Sequence, residues 1–242
     1  EGANILTRSL IIFGQGAIRC HPYVLREMRA AKELKGAQAS AEFDDAFTSH
    51  AGHVLANGVR AFVHGLTGAL FAPAPTAAAR ETHQYYKRVA QLSAAFAFLA
   101  DMSMLAMGGA LKRREKISAR LGDVLSMMYL ISATLKRYED QGRQRDDLPL
   151  LHWSVRDALW QAQQAIDALY TNFPVPPLRW LLRFVVFPLG TPFRPPKDRH
   201  NHRCARIALE PGAARDRLTA GMYLPKGEAD ENRPGDVFRA AS

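Results

Sequence analysis

Cysteine is scarce: Cys20 and Cys204 are the only two among 242 residues, and they stand far apart in the chain. A disulfide framework is therefore excluded as the organising principle, and a reducing, cytoplasmic setting is expected. Strand-like alternation is missing, and glycine and proline do not recur every ~8–12 residues, the spacing that would punctuate a sandwich or barrel. No apolar run is both long and free of charge. The most apolar stretch, Leu92 to Leu111, carries Asp101 in its middle, and a central carboxylate costs about 2.5–3.5 kcal/mol on membrane insertion. That stretch reads as a core helix. The amino end shows neither an initiating methionine nor the charged, apolar and small-residue succession of a signal peptide, so Glu1 is expected to be a cut within a longer protein.

What is present is a globular balance, 48% hydrophobic and 23% charged, with a net charge of +9. That is enough apolar material for a core, and the charge suits an anionic partner such as a phosphate-bearing cofactor or a lipid surface. Between Phe173 and Leu209 seven basic residues stand against Asp198 alone, so two-thirds of the excess is local. Nucleic acid is not expected as a partner, because no helix shows Arg or Lys clustered with Asn or Gln on one exposed face.

Long periodic runs predict an all-α protein, an antiparallel helical bundle with a proline-broken basic C-terminal appendage. Helices are expected from Asn4 to about Ile18, from Pro22 to Leu34 with Lys35-Gly36 closing it, and from about Ala41 to Leu70. The next is expected from Ala77 to Leu111 with Thr76 as its cap. Small residues along the third helix (Gly52, Gly58, Gly65, Gly68) allow a close neighbour at some cost in helix propensity. Ile117, Leu121, Val124, Met128, Ile131, Leu135 and Tyr138 alternate steps of four and three, an apolar seam facing a partner helix. Another helix is expected from Pro149 through Tyr170. Four regions follow: 1–35, 36–173, 174–225, and a polar tail, 226–242, expected to be disordered.

The chain opens Glu1-Gly2-Ala3-Asn4-Ile5-Leu6-Thr7-Arg8. It continues with Gly14-Gln15-Gly16-Ala17-Ile18-Arg19-Cys20-His21-Pro22-Tyr23, later Gly109-Ala110-Leu111-Lys112-Arg113-Arg114-Glu115, then Leu148-Pro149-Leu150-Leu151-His152-Trp153. In order and spacing these segments resemble the FadE-type bacterial long-chain acyl-CoA dehydrogenases, over about residues 1 to 225. The resemblance implies a parent enzyme that uses FAD to oxidise fatty acyl-CoA to trans-2-enoyl-CoA in β-oxidation. It implies Glu1 as the base for the α-proton, Gly2 at the substrate, and Ala3, Asn4 and Ile5 beside FAD. Ala3 and Ile5 depart from the usual Thr and Gln of that signature. The implied partners are fatty acyl-CoA, an electron-accepting flavoprotein and a second copy of the chain. Taken alone, this piece is expected to be inactive.

Other groups have simpler readings. Lys112-Arg113-Arg114 suits a helix end, although a CoA phosphate is conceivable chemistry for it. Arg120 and Asp123 stand one helix turn apart, where a local ion pair is the simplest expectation. His200, His202 and Cys204 alternate as strand ligands would and lack a fourth partner, so no metal site is expected. Cys20-His21 lacks an orienting acid for nucleophilic work. Met102, Met104, Met107, Met127 and Met128 read as core filling. The segment from Leu178 to Phe187 mixes Trp180, Phe184 and Phe187 with Arg179 and Arg183. It leaves two readings open, an interfacial helix on an anionic membrane or a helix packed on the bundle. A docking or oligomerisation module, peripheral on the inner face of the cell membrane, is the alternative function.

Overall fold

The computed structural model describes Thr7 and residues 15–222. The expected first helix and the tail lie largely outside these residues. Among the described residues there is no strand, and the chain is an all-α bundle. The helices are α1 (Gly16–Cys20), α2 (Val24–Glu33), α3 (Gly36–Leu66), α4 (His83–Met107), α5 (Glu115–Asp140), α6 (Leu148–Thr171), α7 (Pro176–Val186), α8 (Asp198–Leu209) and α9 (Ala213–Thr219). A 3-10 turn, Gly108–Arg113, joins α4 to α5.

The tightest pairing is α5 on α6, whose short connection makes them antiparallel neighbours. All seven seam residues of α5, Ile117 through Tyr138, are buried. They meet Leu151, Val155, Leu159, Ala162, Ile166 and Leu169, a similar stripe on α6. Each Leu or Ile so buried contributes about 1.5–3 kcal/mol of transfer free energy. Helix α4 packs between α3 and α5. Its stretch His83–Leu111 is, among the described residues, the one helix long and apolar enough to cross a membrane. Its buried residues include Leu92, Ala95, Phe98 and Leu99, and Asp101 is buried beside them.

Two expected boundaries are corrected. The fourth helix starts at His83, not Ala77. Residues 76–82 form turns held from outside by Glu139 on α5, whose carboxylate accepts from the Ala79 amide at 3.0 Å. Gly36 does not close a helix but opens α3, at φ +66°, a conformation that glycine adopts without steric cost. His200, His202 and Cys204 lie on the helix α8, not on a strand.

The proline-broken stretch is fastened to the bundle by polar clamps. Gln163 on α6 donates to the Phe193 carbonyl at 3.0 Å and accepts from the Phe193 amide at 2.8 Å. Trp153 donates to Asn201 at 2.6 Å, and Arg217 forks onto Asp147 at 2.8 and 2.9 Å. Helix α7 lies against α3. At Gly65 a Cβ would stand 2.7 Å from the Val186 carbonyl oxygen and 2.7 Å from Pro188 Cδ, and at Gly58 one would stand 3.1 Å from the Phe98 ring. The close approach expected of the small residues thus falls at Gly58 and Gly65. Gly65→Ala should cost about 1–3 kcal/mol by overpacking, seen as a lower urea midpoint. The same change at Gly52, where a Cβ meets nothing within 4 Å, should be neutral or stabilising by helix propensity.

Candidate functional site

Glu1, Gly2, Ala3, Asn4 and Ile5 lie outside the described residues, as does Arg8. Within the described chain the chemistry gathers where α2, α3 and α4 meet. His21 sits in the turn before α2. Its Nδ1 accepts the amides of Tyr23 at 3.2 Å and Val24 at 3.1 Å, so the ring caps the helix start. With Nδ1 occupied as an acceptor, the imidazole proton belongs on Nε2, which donates to Asp101 Oδ1 at 2.8 Å. Asp101 stands in the last third of α4, its side chain only 2% exposed.

Helix α3 adds His50 and His53, three residues apart and so on one face. His50 Nδ1 is 2.7 Å from Glu27 Oε1 of α2, and its Nε2 lies 3.5 Å from Asp101 Oδ1. The His21 and His50 rings are 4.7 Å apart, and Tyr23 stacks on His50 at 5.8 Å. Asn57, one turn beyond His53, contacts His53 Nε2 at 2.8 Å while Arg60 donates to its Oδ1. Burial pushes the His53 pKa below its ordinary value, with Arg60 and the neighbouring imidazoles adding to the effect and Asp101 opposing it.

Two buried polar atoms in this group have no hydrogen-bond partner, Asp101 Oδ2 and His50 Nε2. Both residues, with Glu27, line a pocket of about 690 Å³ whose remaining wall is mainly apolar, including Phe47, Val54, Phe98, Met104 and Leu105. The sequence signals were a His-x-x-His pair on one helix and a lone carboxylate in an apolar run. Neither reveals that residues 21, 27, 50, 53 and 101 converge.

The remaining groups sort simply. Cys20 is exposed and Cys204 contacts the Pro149 carbonyl. Met102 and Met128 are buried, and Met104, Met107 and Met127 pack against the core. Arg113 and Arg114 are exposed at the turn between α4 and α5. On α7 the segment divides by face. Trp180 is 77% and Phe184 59% exposed, with Leu181 beside them, whereas Leu182, Val186 and Phe187 are buried. Phe187 is therefore corrected from interfacial candidate to core residue, its ring edge-on to Phe193 at 6.3 Å.

The family described as acyl-CoA dehydrogenase, C-terminal, bacterial type, matches residues 18–240. The chain belongs to that family. No solved structure matches it.

Proposed function

We propose that this chain is the carboxy-terminal helical part of an FAD-dependent acyl-CoA dehydrogenase that oxidises fatty acyl-CoA to trans-2-enoyl-CoA, with Glu1 as the α-proton base. The family match over residues 18–240 carries this reading, and the Glu1-Gly2 pair with Arg8 seven residues after the base adds to it. A carboxylate beside the thioester removes the acidic α-proton, and it does so best where a desolvated site raises its pKa toward the working pH. FAD, when bound, supplies the acceptor for the β-hydride. Gly2 leaves room for substrate next to the base. The side chains of Ala3 and Ile5 offer no hydrogen bond, so the backbone of residues 3–5 and the Asn4 amide are the polar groups available to the cofactor. An electron-accepting flavoprotein and a second copy of the enzyme complete the proposed set of partners.

In the intact enzyme, Glu1→Gln should retain bound flavin and lose its bleaching by palmitoyl-CoA in rapid mixing, because an amide has the shape of the base but cannot take the proton. Substantial bleaching by the variant would remove Glu1 from the role.

The exposed face of α7 supports a second, compatible reading, peripheral attachment to the inner face of the cell membrane. Trp180, Leu181 and Phe184 are exposed together, Phe184 lies 5.3 Å from Phe62 of α3, and α3 exposes Val59, Val63 and Leu66. The surrounding stretch carries the net excess of six positive charges. Each basic group near an anionic surface contributes on the order of 1 kcal/mol, and inserted aromatics add burial. The protein should co-sediment with phosphatidylglycerol vesicles, less so in high salt. Replacing Trp180, Leu181 and Phe184 with Ser should release it without lowering its melting temperature. Background sedimentation of the wild type would sink this reading.

A further inference from the structure

The polar group at the junction of α2, α3 and α4 is built like a metal site, and nothing in the acyl-CoA chemistry proposed above uses it. One ligand atom from each of His21, His53 and Asp101 falls within a cluster 4.8 Å across. His50 adds an unpartnered Nε2 at 3.5 Å from Asp101 Oδ1.

Two independent observations point to a missing cation. The first is lone-pair accounting. Asp101 Oδ2 belongs to a side chain 98% buried and has no donor. Glu27 accepts a hydrogen bond from His50 Nδ1, which leaves His50 Nε2, also buried and also without a hydrogen-bond partner, as the ring atom available to a ligand. Buried polar atoms left unpaired are costly, and a cation bound by both removes that cost. The second is charge. Glu27 and Asp101 are two carboxylates within one small cluster, and among the described residues neither is paired with Lys or Arg. Among the described residues their partners are imidazoles, so a divalent ion entering the cluster does not have to displace a Lys or Arg from either carboxylate.

The surroundings also match what a bound metal needs. A ligating histidine donates its other ring proton to a carboxylate or carbonyl, which fixes its orientation. Glu27 does this for His50 at 2.7 Å. Two imidazoles and one carboxylate suit zinc or a similar transition ion better than calcium or magnesium, which prefer all-oxygen shells. We propose that His50, His53 and Asp101 bind one divalent transition-metal ion, with Glu27 orienting His50 and His21 orienting Asp101.

The chemistry of entry is defined. In the metal-free arrangement the His21 Nε2 proton bridges to Asp101 Oδ1. His21 keeps that proton, because its Nδ1 accepts two amides and loss of the Nε2 proton would leave an imidazolate; the ion is taken instead by Asp101 Oδ2 and His50 Nε2, which have no hydrogen-bond partner. His53 joins by exchanging its contact with Asn57 for the ion.

The test is a zinc titration of chelator-treated protein by calorimetry in two buffers of different ionisation enthalpy, repeated with cobalt for its visible spectrum. Wild type should bind one ion per chain. The heat should differ between the buffers, because binding releases protons, and the cobalt spectrum should show low coordination. Asp101→Asn and His50→Gln should lose the site, and Glu27→Gln, which keeps every ligand, should weaken it by about 10–100-fold. His202→Ala, on the exposed face of α8, should change nothing. Glu27→Gln keeps the ligand set intact should the other variants fail to fold. Absence of stoichiometric binding overturns the proposal, and so does unchanged affinity in His50→Gln or Glu27→Gln. Either result would leave the cluster a hydrogen-bonded link alone.

Discussion

The arrangement depends on one buried carboxylate. Asp101 has no solvent to stabilise its charge, and taking such a group out of water costs several kcal/mol after relaxation. It is tolerated because two other elements reach it. His21, in the turn before α2, donates to it at 2.8 Å, and His50 of α3 stands at 3.5 Å. The same His21 ring caps α2 through its other nitrogen. The direction of α2, the position of the α3 face and the depth of α4 are therefore set at one point. Breaking a buried pair on one side leaves a charge or a donor stranded, which is why such links enforce one geometry even where their net contribution to stability is small.

This link sits at the amino-terminal edge of an otherwise apolar bundle. Beyond it, α5 and α6 close on each other through plain hydrophobic burial, and α7 is pressed onto α3 so tightly that Gly65 has no space for a methyl group. The chain thus has two regimes. The α5–α6 half is specified by apolar periodicity. The α1–α4 half adds to the apolar face of α4 polar contacts between residues up to eighty positions apart, and in sequence it follows the segment that carries Glu1. The proline-broken appendage is fastened on by Gln163, Trp153 and Arg217, each reaching across from or to a bundle helix.

The seam on α5 was legible because burial there follows the helix period, and every one of its seven residues is inside. The start of α4 was misread. Thr76 looks like a cap, yet the turn runs to Thr82 because Glu139, sixty residues away from Ala79, supplies the hydrogen bond that a local cap would have supplied. Gly36 carries the right conformational signal, positive φ, at the opposite end of a helix from the expected one. Phe187 could not be told from Phe184 by composition, since what separates them is that Phe187 lies just past the end of α7, where the chain turns it onto Phe193. The histidine–carboxylate cluster has no local signature at all. Asp101 was noticeable as a charge in an apolar run, but its partners come from two other helices and a turn.

A double-mutant cycle between His21 and Asp101, followed by urea unfolding in chelator-treated buffer, tests the central link most directly. Residues that share a buried hydrogen bond show interaction energies of about 0.5–3 kcal/mol, whereas independent sites add within roughly 0.3–0.5 kcal/mol. The account predicts that His21→Ala and Asp101→Ala each destabilise the protein and that the double variant loses at least ~1 kcal/mol less than their sum. Additive losses would show that Asp101 does not hold the turn before α2, and would contradict the account.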